Sequence, residues 1–363
     1  MNKFFVQNQS FTYEEVREGT YQFQDEYYHE TLNFCRDWLR GKETFTFNTS
    51  GSTGSPKSII TDRKHMQISA QGTIDMLGLT SNEKIYLCIS SKMIGGAMLL
   101  VRGMILGCDI TITAPSSNPL ALVDSKHEYT LVSFAPMQVF ALHEEEELRN
   151  KLSLFKHVLL GGAPADNQLL KLLGNLPCKV WQTYGMTETL SHIALRELGK
   201  ETYYKVMPDV KIRIDERNCL CICAPVTDDQ WLVTNDVVKL IDDTHFELSG
   251  RIDEVINSGG IKFFSYDIEH AILDRFNELE MPPRPMFVCR KTDEKFGEIA
   301  VVVMLGEPLN EEMMEDLKNH CKATLGKYAA PKKFYFVDEF ERLESGKPDR
   351  KATIAKVLAC NNA

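Results

Sequence analysis

The chain changes its hydrophobic rhythm twice. The segment ETFTFNTS, from Glu43, alternates Thr and Phe at the period of a half-buried strand, and KSIITD adds a second β-rich run. Asp62 then offers an N-cap, a helix is predicted from about Lys64 to Leu77, and Gly78 supplies the stop. EKIYLCIS reads as a buried strand, IGGAMLLVRGMIL as a helix and CDITIT as the next strand. YTLVSFAP, KHVLLGGAP and CKVWQTYG continue the series. Strands interleaved with helices predict an α/β fold with a largely parallel sheet.

Near residue 208 the runs become short, alternating and turn-punctuated: VKIRIDERNCLCICAP, QWLVTNDVVKLID and THFELSGRID. This texture predicts antiparallel hairpins or a small barrel. After GRIDEV a helix DIEHAILDRF, strands PMFVCR and EIAVVVML, a helix NEEMMEDLKNHCKATL and a strand KKFYFVDEF form a smaller α+β unit. The expected division is a domain over residues 1–252 and a second over 253–363.

Charge and composition exclude some functions. A net charge of −10 with no Lys/Arg cluster argues against a nucleic-acid surface, which must neutralise phosphates. The most apolar run, MIGGAMLLV, meets Arg102 and is too short to span a bilayer. No secretory leader is expected from MNKFFVQNQSFTYEEV, and ten scattered cysteines without CxxC pairs suit a reducing cytoplasm. Cys219, Cys221 and Cys223 would share one face of a strand, as small core residues or as an incomplete thiolate site.

The chemistry concentrates first in Thr49-Ser50-Gly51-Ser52-Thr53-Gly54-Ser55-Pro56-Lys57. Glycines let backbone N–H groups approach an anion, hydroxyls donate to it, and the lysine supplies charge. A Walker A loop is excluded, because Pro56 stands where that motif needs glycine and the following segment reads as strand. A polyphosphate loop of another kind fits.

From this loop onward the chain resembles the adenylate-forming superfamily of acyl- and aryl-CoA synthetases, adenylation domains and luciferases. Gly161-Gly162-Ala163 matches its adenine-side segment, and Tyr184-Gly185-Met186-Thr187-Glu188 its YGxTE motif. Thr234-Asn235-Asp236 matches TGD, Gly250-Arg251-Ile252-Asp253-Glu254 matches GRxDE, and Gly346-Lys347-Pro348-Asp349-Arg350 matches GKxxR. The resemblance covers residues 44–352 and implies ATP, magnesium and coenzyme A as partners of a small carboxylic acid. It implies that residues 50–58 hold the β- and γ-phosphates, Tyr184 stacks on adenine, Thr187 bonds the α-phosphate and Glu188 holds the metal. Asp236 would take the ribose hydroxyls with Arg251 beside it, and Lys347, on a mobile C-terminal lid, would meet the α-phosphate and the attacking carboxylate. Asn235 and Ser58 replace family glycines, and much of the usual N-terminal subdomain is missing.

Within the superfamily, residues 187–194 and 255–262 and the short length resemble the o-succinylbenzoate–CoA ligases of menaquinone biosynthesis. That likeness implies that Ser258, Gly259 and Gly260 line the pantetheine path and that Ser191 and His192 face the acyl group. A second substrate carboxylate needs a cation, for which Lys92 and Arg102 are the candidates. His192 as a core histidine and Arg102 as a surface residue stay open, as do another aryl or acyl acid, a carrier-protein thiol, a non-catalytic nucleotide sensor and the oligomeric state.

Overall fold

The computed structural model describes residues 2–48, 58–116, 118–134, 138, 146–161, 177–282, 284–342 and 348–360. Thr49, Ser50, Gly51, Ser52, Thr53, Gly54 and Lys57 of the phosphate loop, Gly162, Ala163 and Lys347 lie outside the described residues.

One large sheet organises the first two thirds of the chain. Six strands run parallel, in the spatial order Lys179–Gly185, Phe155–Leu160, Tyr129–Phe134, Lys84–Leu87, Asp109–Ile112 and Lys3–Val6. Antiparallel strands extend the same sheet from Lys179–Gly185: His192–Glu197, Tyr204–Val206, His245–Arg251, Leu232–Asp242, Cys219–Cys223 and Lys211–Ile214. The two textures of the sequence are therefore one continuous sheet, and the hairpins form no separate barrel.

The helix Ile94–Leu106 explains its own position. It is apolar nearly all round, so only a site covered on every side suits it, and Gly96 through Met104 are buried. Gly103 sets its distance from the sheet, since an added Cβ would fall 2.6 Å from Cδ1 of Ile110. Arg102 is the one charged residue in this helix, and it is buried with the rest. The neighbouring helix is Arg63–Leu77, stopped by Gly78 in the left-handed conformation at φ 63°. Its residues Met66, Ala70 and Ile74 join the same core as Leu99 and Leu100. Each such aliphatic side chain contributes about 1.5–3 kcal/mol on burial.

The N-terminal arm completes the far edge. Lys3–Val6 pairs with Asp109–Ile112 and turns back as Gln9–Thr12, and Thr12 with Glu15 forms a reciprocal cap for the helix Tyr13–Glu18.

The cysteine stripe has an outward address. Leu220 and Ile222 face the core with Ile212, Tyr204 and Phe246, so Cys219, Cys221 and Cys223 occupy the other face of that strand. They are buried there, with Arg213 and Val233 as the register partners of Cys221. No group of three potential ligands gathers for a metal among the described residues.

The second sheet pairs Val255–Ser258 with Ile261–Phe264 and with Gly297–Leu305. Gly297–Leu305 also pairs with Met286–Asp293 antiparallel and Lys333–Val337 parallel. Helices Ser265–Glu278 and Glu311–Leu325 bury one of its faces. Val357 of the helix Arg350–Cys360 packs against Phe287, Val301 and Val303 on the other. Among the described residues no helix is long and apolar enough to cross a membrane.

Candidate active site

The strand Lys179–Gly185 carries the YGxTE motif out of the sheet, and Gly185 is required at its end. A Cβ there would lie 2.2 Å from the Ser191 carbonyl oxygen and 2.5 Å from the His192 Cα. The chain then makes a single tight turn, Thr187–Thr189, and Leu190 leaves it at φ 67°, ψ −47°. A non-glycine residue held there costs about 1–3 kcal/mol. Thr189 offsets part of that cost: its Oγ1 accepts from the Met186 amide at 3.0 Å and lies 2.8 Å from the Ser191 carbonyl. The turn presents Thr187 half-buried and Glu188 exposed.

On one side of this turn lies a compensated ionic group. Thr234-Asn235-Asp236 falls where the register slips, because Cys219 pairs with Val237 but Cys221 with Val233. Such a bulge re-aims side chains at a sheet. Asp236 is buried, accepts from the Tyr184 hydroxyl at 2.6 Å and lies 3.2 Å from Nη1 of Arg251. Arg251 also meets Asp253 through Nε at 3.0 Å and Nη2 at 3.1 Å. Burial, and then the Asp236 charge, push the Tyr184 phenol well above its ordinary value, so it stays a donor. Its ring packs against Phe246 and Tyr204, with centroids 5.1 and 5.8 Å away, and keeps only 7% of its surface exposed. The hydroxyl contact with Asp236 is thus the use of Tyr184 that the structure displays. Asn235 keeps an ordinary negative φ, so the change from glycine strains nothing.

On the other side lies an uncompensated one. The Arg102 guanidinium is 2% exposed, and Nη2 lies 3.2 Å from Oγ of Ser191 while Nε has no hydrogen-bond partner among the described residues. No carboxylate pairs with it among those residues. Burial brings its pKa down to about 9. His192 Nδ1 stands 3.5 Å from Ser191 Oγ, and its Nε2 stands 3.0 Å from Oγ1 of Thr73. Burial, and then Arg102, hold His192 well below its usual pKa, as a neutral ring. Arg102, Ser191 and His192 therefore come together, and Arg102 is not the surface residue of one reading. Lys92 stands before the helix, exposed and ion-paired with Glu30 at 2.6 Å.

Sequence reasoning missed Thr73. The available signal was a polar residue four after Ser69 on the apolar face of its helix.

The remaining candidates sit at element ends. Gly161 closes Phe155–Leu160, its amide donating to the Phe134 carbonyl at 3.3 Å. Gly259 and Gly260, at φ 58° and 83°, form the two-residue turn between Ser258 and Ile261. Positive φ at both central positions is the hairpin geometry that favours glycine, and Cε1 of Tyr328 would lie 2.6 Å from a Cβ at Gly259. Ser258 is 1% exposed, with its hydroxyl unpartnered among the described residues.

Comparison with known proteins gives the family. The AMP-binding enzyme family model matches residues 38–222, just over half of the chain, and the AMP-binding enzyme C-terminal domain matches 286–347. A 2-succinylbenzoate–CoA ligase of Bacillus cytotoxicus is 29% identical over 93% of this chain and 73% of its own. One from Enterococcus faecalis is 26% identical over 82% and 66%. The chain thus spans about two thirds to three quarters of these relatives. A solved acyl-CoA synthetase (AMP-forming)/AMP-acid ligase II-like protein from Dyadobacter fermentans has the same short length. It is 34% identical with a TM-score of 0.62, covering 94% of this chain and 97% of that one. The o-succinylbenzoate CoA synthetase of Bacillus subtilis, solved with its acyl-adenylate intermediate, shares the fold at a TM-score of 0.71 and 24% identity, over 84% of this chain and 68% of that one. The chain belongs to the family of AMP-binding enzymes.

Proposed function

We propose that this chain is an ATP-dependent acid–thiol ligase, and that its acid is 2-succinylbenzoate with coenzyme A as acceptor. The observation that carries the choice of acid is Arg102, a buried cation beside Ser191 and His192 with no carboxylate to meet it among the described residues. A buried charge without a partner is costly, and an acid with a second carboxylate would supply the partner. The relatives named for 2-succinylbenzoate support the same reading.

In this reading the phosphate loop, with Lys57, takes the β- and γ-phosphates, and Thr187 takes the α-phosphate. Tyr184 and Gly161-Gly162-Ala163 offer the platform for the base. Asp236, oriented by Tyr184 and Arg251, accepts the ribose hydroxyls. Glu188 is exposed and ion-paired with no cation among the described residues, which suits magnesium, an ion held by one or two carboxylates together with phosphate oxygens. When bound it neutralises phosphate charge. The substrate carboxylate oxygen attacks the α-phosphorus, the bond to the bridging oxygen breaks, and pyrophosphate leaves. Lys347 stabilises the charge that builds there. The coenzyme A sulfur, guided along Ser258-Gly259-Gly260, then attacks the acyl carbon, giving up its proton to solvent as AMP leaves. We place the enzyme in a reducing cytoplasm.

Acid-dependent ATP–pyrophosphate exchange over a panel of carboxylates, followed by acceptor trials with coenzyme A and carrier-protein thiols, tests this. Exchange greatest with 2-succinylbenzoate is expected. Exchange that prefers a monocarboxylate would overturn the choice of acid, and no exchange with any acid would overturn the ligase reading.

A further inference from the structure

We propose that Arg350 is a positioning residue for adenylation, mooring the segment that carries Lys347 to the helix Ser265–Glu278 through Glu269. The inference rests on the reading of Lys347 as the adenylation lysine. Lys347 precedes Arg350 by three residues in the sequence, so what fixes Arg350 limits where that lysine can reach.

Two sets of contacts make the mooring. The first ties together the chain on either side of residues 343–347. Arg342 bridges Pro348 as an antiparallel pair, and the Asp349 amide donates to the Glu341 carbonyl at 2.7 Å. The Glu341 amide in turn donates to Oγ1 of Thr353 at 3.0 Å, in the first turn of Arg350–Cys360. The second set ties that turn to the rest of the domain. Nη1 of Arg350 lies 3.0 Å from Oε1 of Glu269, and its guanidinium lies 5.6 Å from the Phe287 ring. Glu269 is itself held, because the Val288 amide donates to it at 2.8 Å. Arg350 also approaches Glu254 at 3.9 Å, in the turn Ile252–Glu254 that joins the two sheets. One forked cation thus stands between the interdomain turn, a helix and the base of the lysine segment. Arginine suits the task because its planar fork fixes direction as well as distance.

The contacts could instead only hold the domain folded, and the two half-reactions separate these roles. In the full-length chain, Arg350→Ala, Arg350→Lys, Glu269→Gln and Lys347→Ala are assayed for acid-dependent pyrophosphate exchange, for thioester formation from supplied acyl-adenylate, and for melting temperature. Misplacement of a catalytic group by about 1 Å costs up to about 100-fold. Arg350→Ala is accordingly expected to lower kcat of exchange about 10- to 100-fold, with the KM for ATP and thioester formation near wild type. Arg350→Lys, which keeps the charge without the fork, should recover part of the rate. Glu269→Gln should show the same selective loss, and the Glu269→Gln/Arg350→Ala double variant should be no slower than Arg350→Ala alone. Equal loss of both half-reactions together with a lowered melting temperature, additive losses in the double variant, or unchanged exchange would each overturn the proposal. If Arg350→Ala does not fold, Arg350→Lys and Glu269→Gln carry the test. Lys347→Ala separates the two levels: if it spares exchange, the reading of Lys347 falls. If it abolishes exchange while Arg350→Ala spares it, only the mooring falls.

Discussion

The Asp236 side and the Arg102 side of the Gly185 turn hold one buried ionic group each, and the protein treats them in opposite ways. Asp236 is surrounded by partners of its own chain, a phenol at 2.6 Å and a guanidinium at 3.2 Å. Arg102 has one serine hydroxyl and no carboxylate among the described residues. The difference matches the charge of what each side would meet. A ribose is neutral, so a carboxylate that binds it must have its counter-charge supplied by the protein. An acid arrives as an anion, so the cation that receives it can be left waiting. The compensated side is organised in advance, and on the proposed reading the uncompensated side carries a destabilising charge that the acid would relieve.

The largest expected effect breaks the uncompensated side. Arg102→Met should lower kcat/KM for 2-succinylbenzoate about 10²- to 10³-fold, the scale for truncating one member of a buried charged pair. The same change should leave the free protein's melting temperature unchanged or raised, because replacing an unpartnered buried charge by an apolar group of similar length is neutral or stabilising. A melting temperature that fell steeply would show that Arg102 is compensated by the protein after all, and the contrast would vanish.

Next in size is the reverse experiment. Asp236→Asn keeps the shape but removes the charge that Arg251 and Tyr184 share. It should cost about 1.5–3 kcal/mol of stability, the range for a hydrogen bond to a charged group, read from urea unfolding. ATP affinity by calorimetry should fall as well, while 2-succinylbenzoate affinity stays close to wild type. Loss of stability on the Asp236 side and its absence on the Arg102 side would establish the asymmetry.

The sequence made one side of this contrast more legible than the other. Thr234-Asn235-Asp236 and Arg251 could be found because each lies in a short contiguous run that resembles a family motif, TGD and GRxDE, and the structure adds that Asp236 and Arg251 are in register. The tyrosine hydroxyl as a third member was not legible, since Tyr184 and Asp236 lie 52 positions apart and meet only through the fold. Arg102 was ambiguous for a related reason. A charge in an apolar helix reads as surface or as site until the coverage of that helix is known, and the cover comes from helices and strands distant in sequence. His192 was singled out, but its partner Thr73 lies 119 residues away. In the fold, periodicity located most strands and helices from residue 44 to 337, but not the short strands His192–Glu197, Tyr204–Val206, Val255–Ser258 and Ile261–Phe264. The N-terminal hairpin was too short to declare itself, and it took its order from pairing with Asp109–Ile112. The GKxxR motif offered a lysine, yet the use of its arginine depends on Glu269, 81 residues earlier.

Gly185 tests whether the two sides are mechanically joined. Gly185→Ala would force the Ser191 carbonyl away from a position 2.2 Å from the new methyl. Overpacking of this kind costs about 1–3 kcal/mol, measurable by urea unfolding. Because the displaced strand carries Ser191 and His192 while Gly185 follows Tyr184, ATP and acid affinities should fall together. A loss confined to one ligand would mean that the turn is two independent supports.

The smallest effect sharpens the comparison by pH. Burial, and then the nearby Arg102, depress the folded-state pKa of His192, so the unfolded chain takes up a proton that the folded chain refuses. The stability contribution of the neutral ring is complete above the unfolded value near 6.5 and is lost as pH falls below it, at no more than about 1.4 kcal/mol per pH unit. His157 is pushed down to about 4, burial being the main cause, and it adds a slope of the same sign. The measurement is therefore a difference between two proteins. Wild type and His192→Gln are unfolded in urea from pH 7 downwards, and the variant should lose stability less steeply. Parallel curves would mean that His192 is already protonated in the folded state, placing two adjacent cations at the position assigned to one waiting charge.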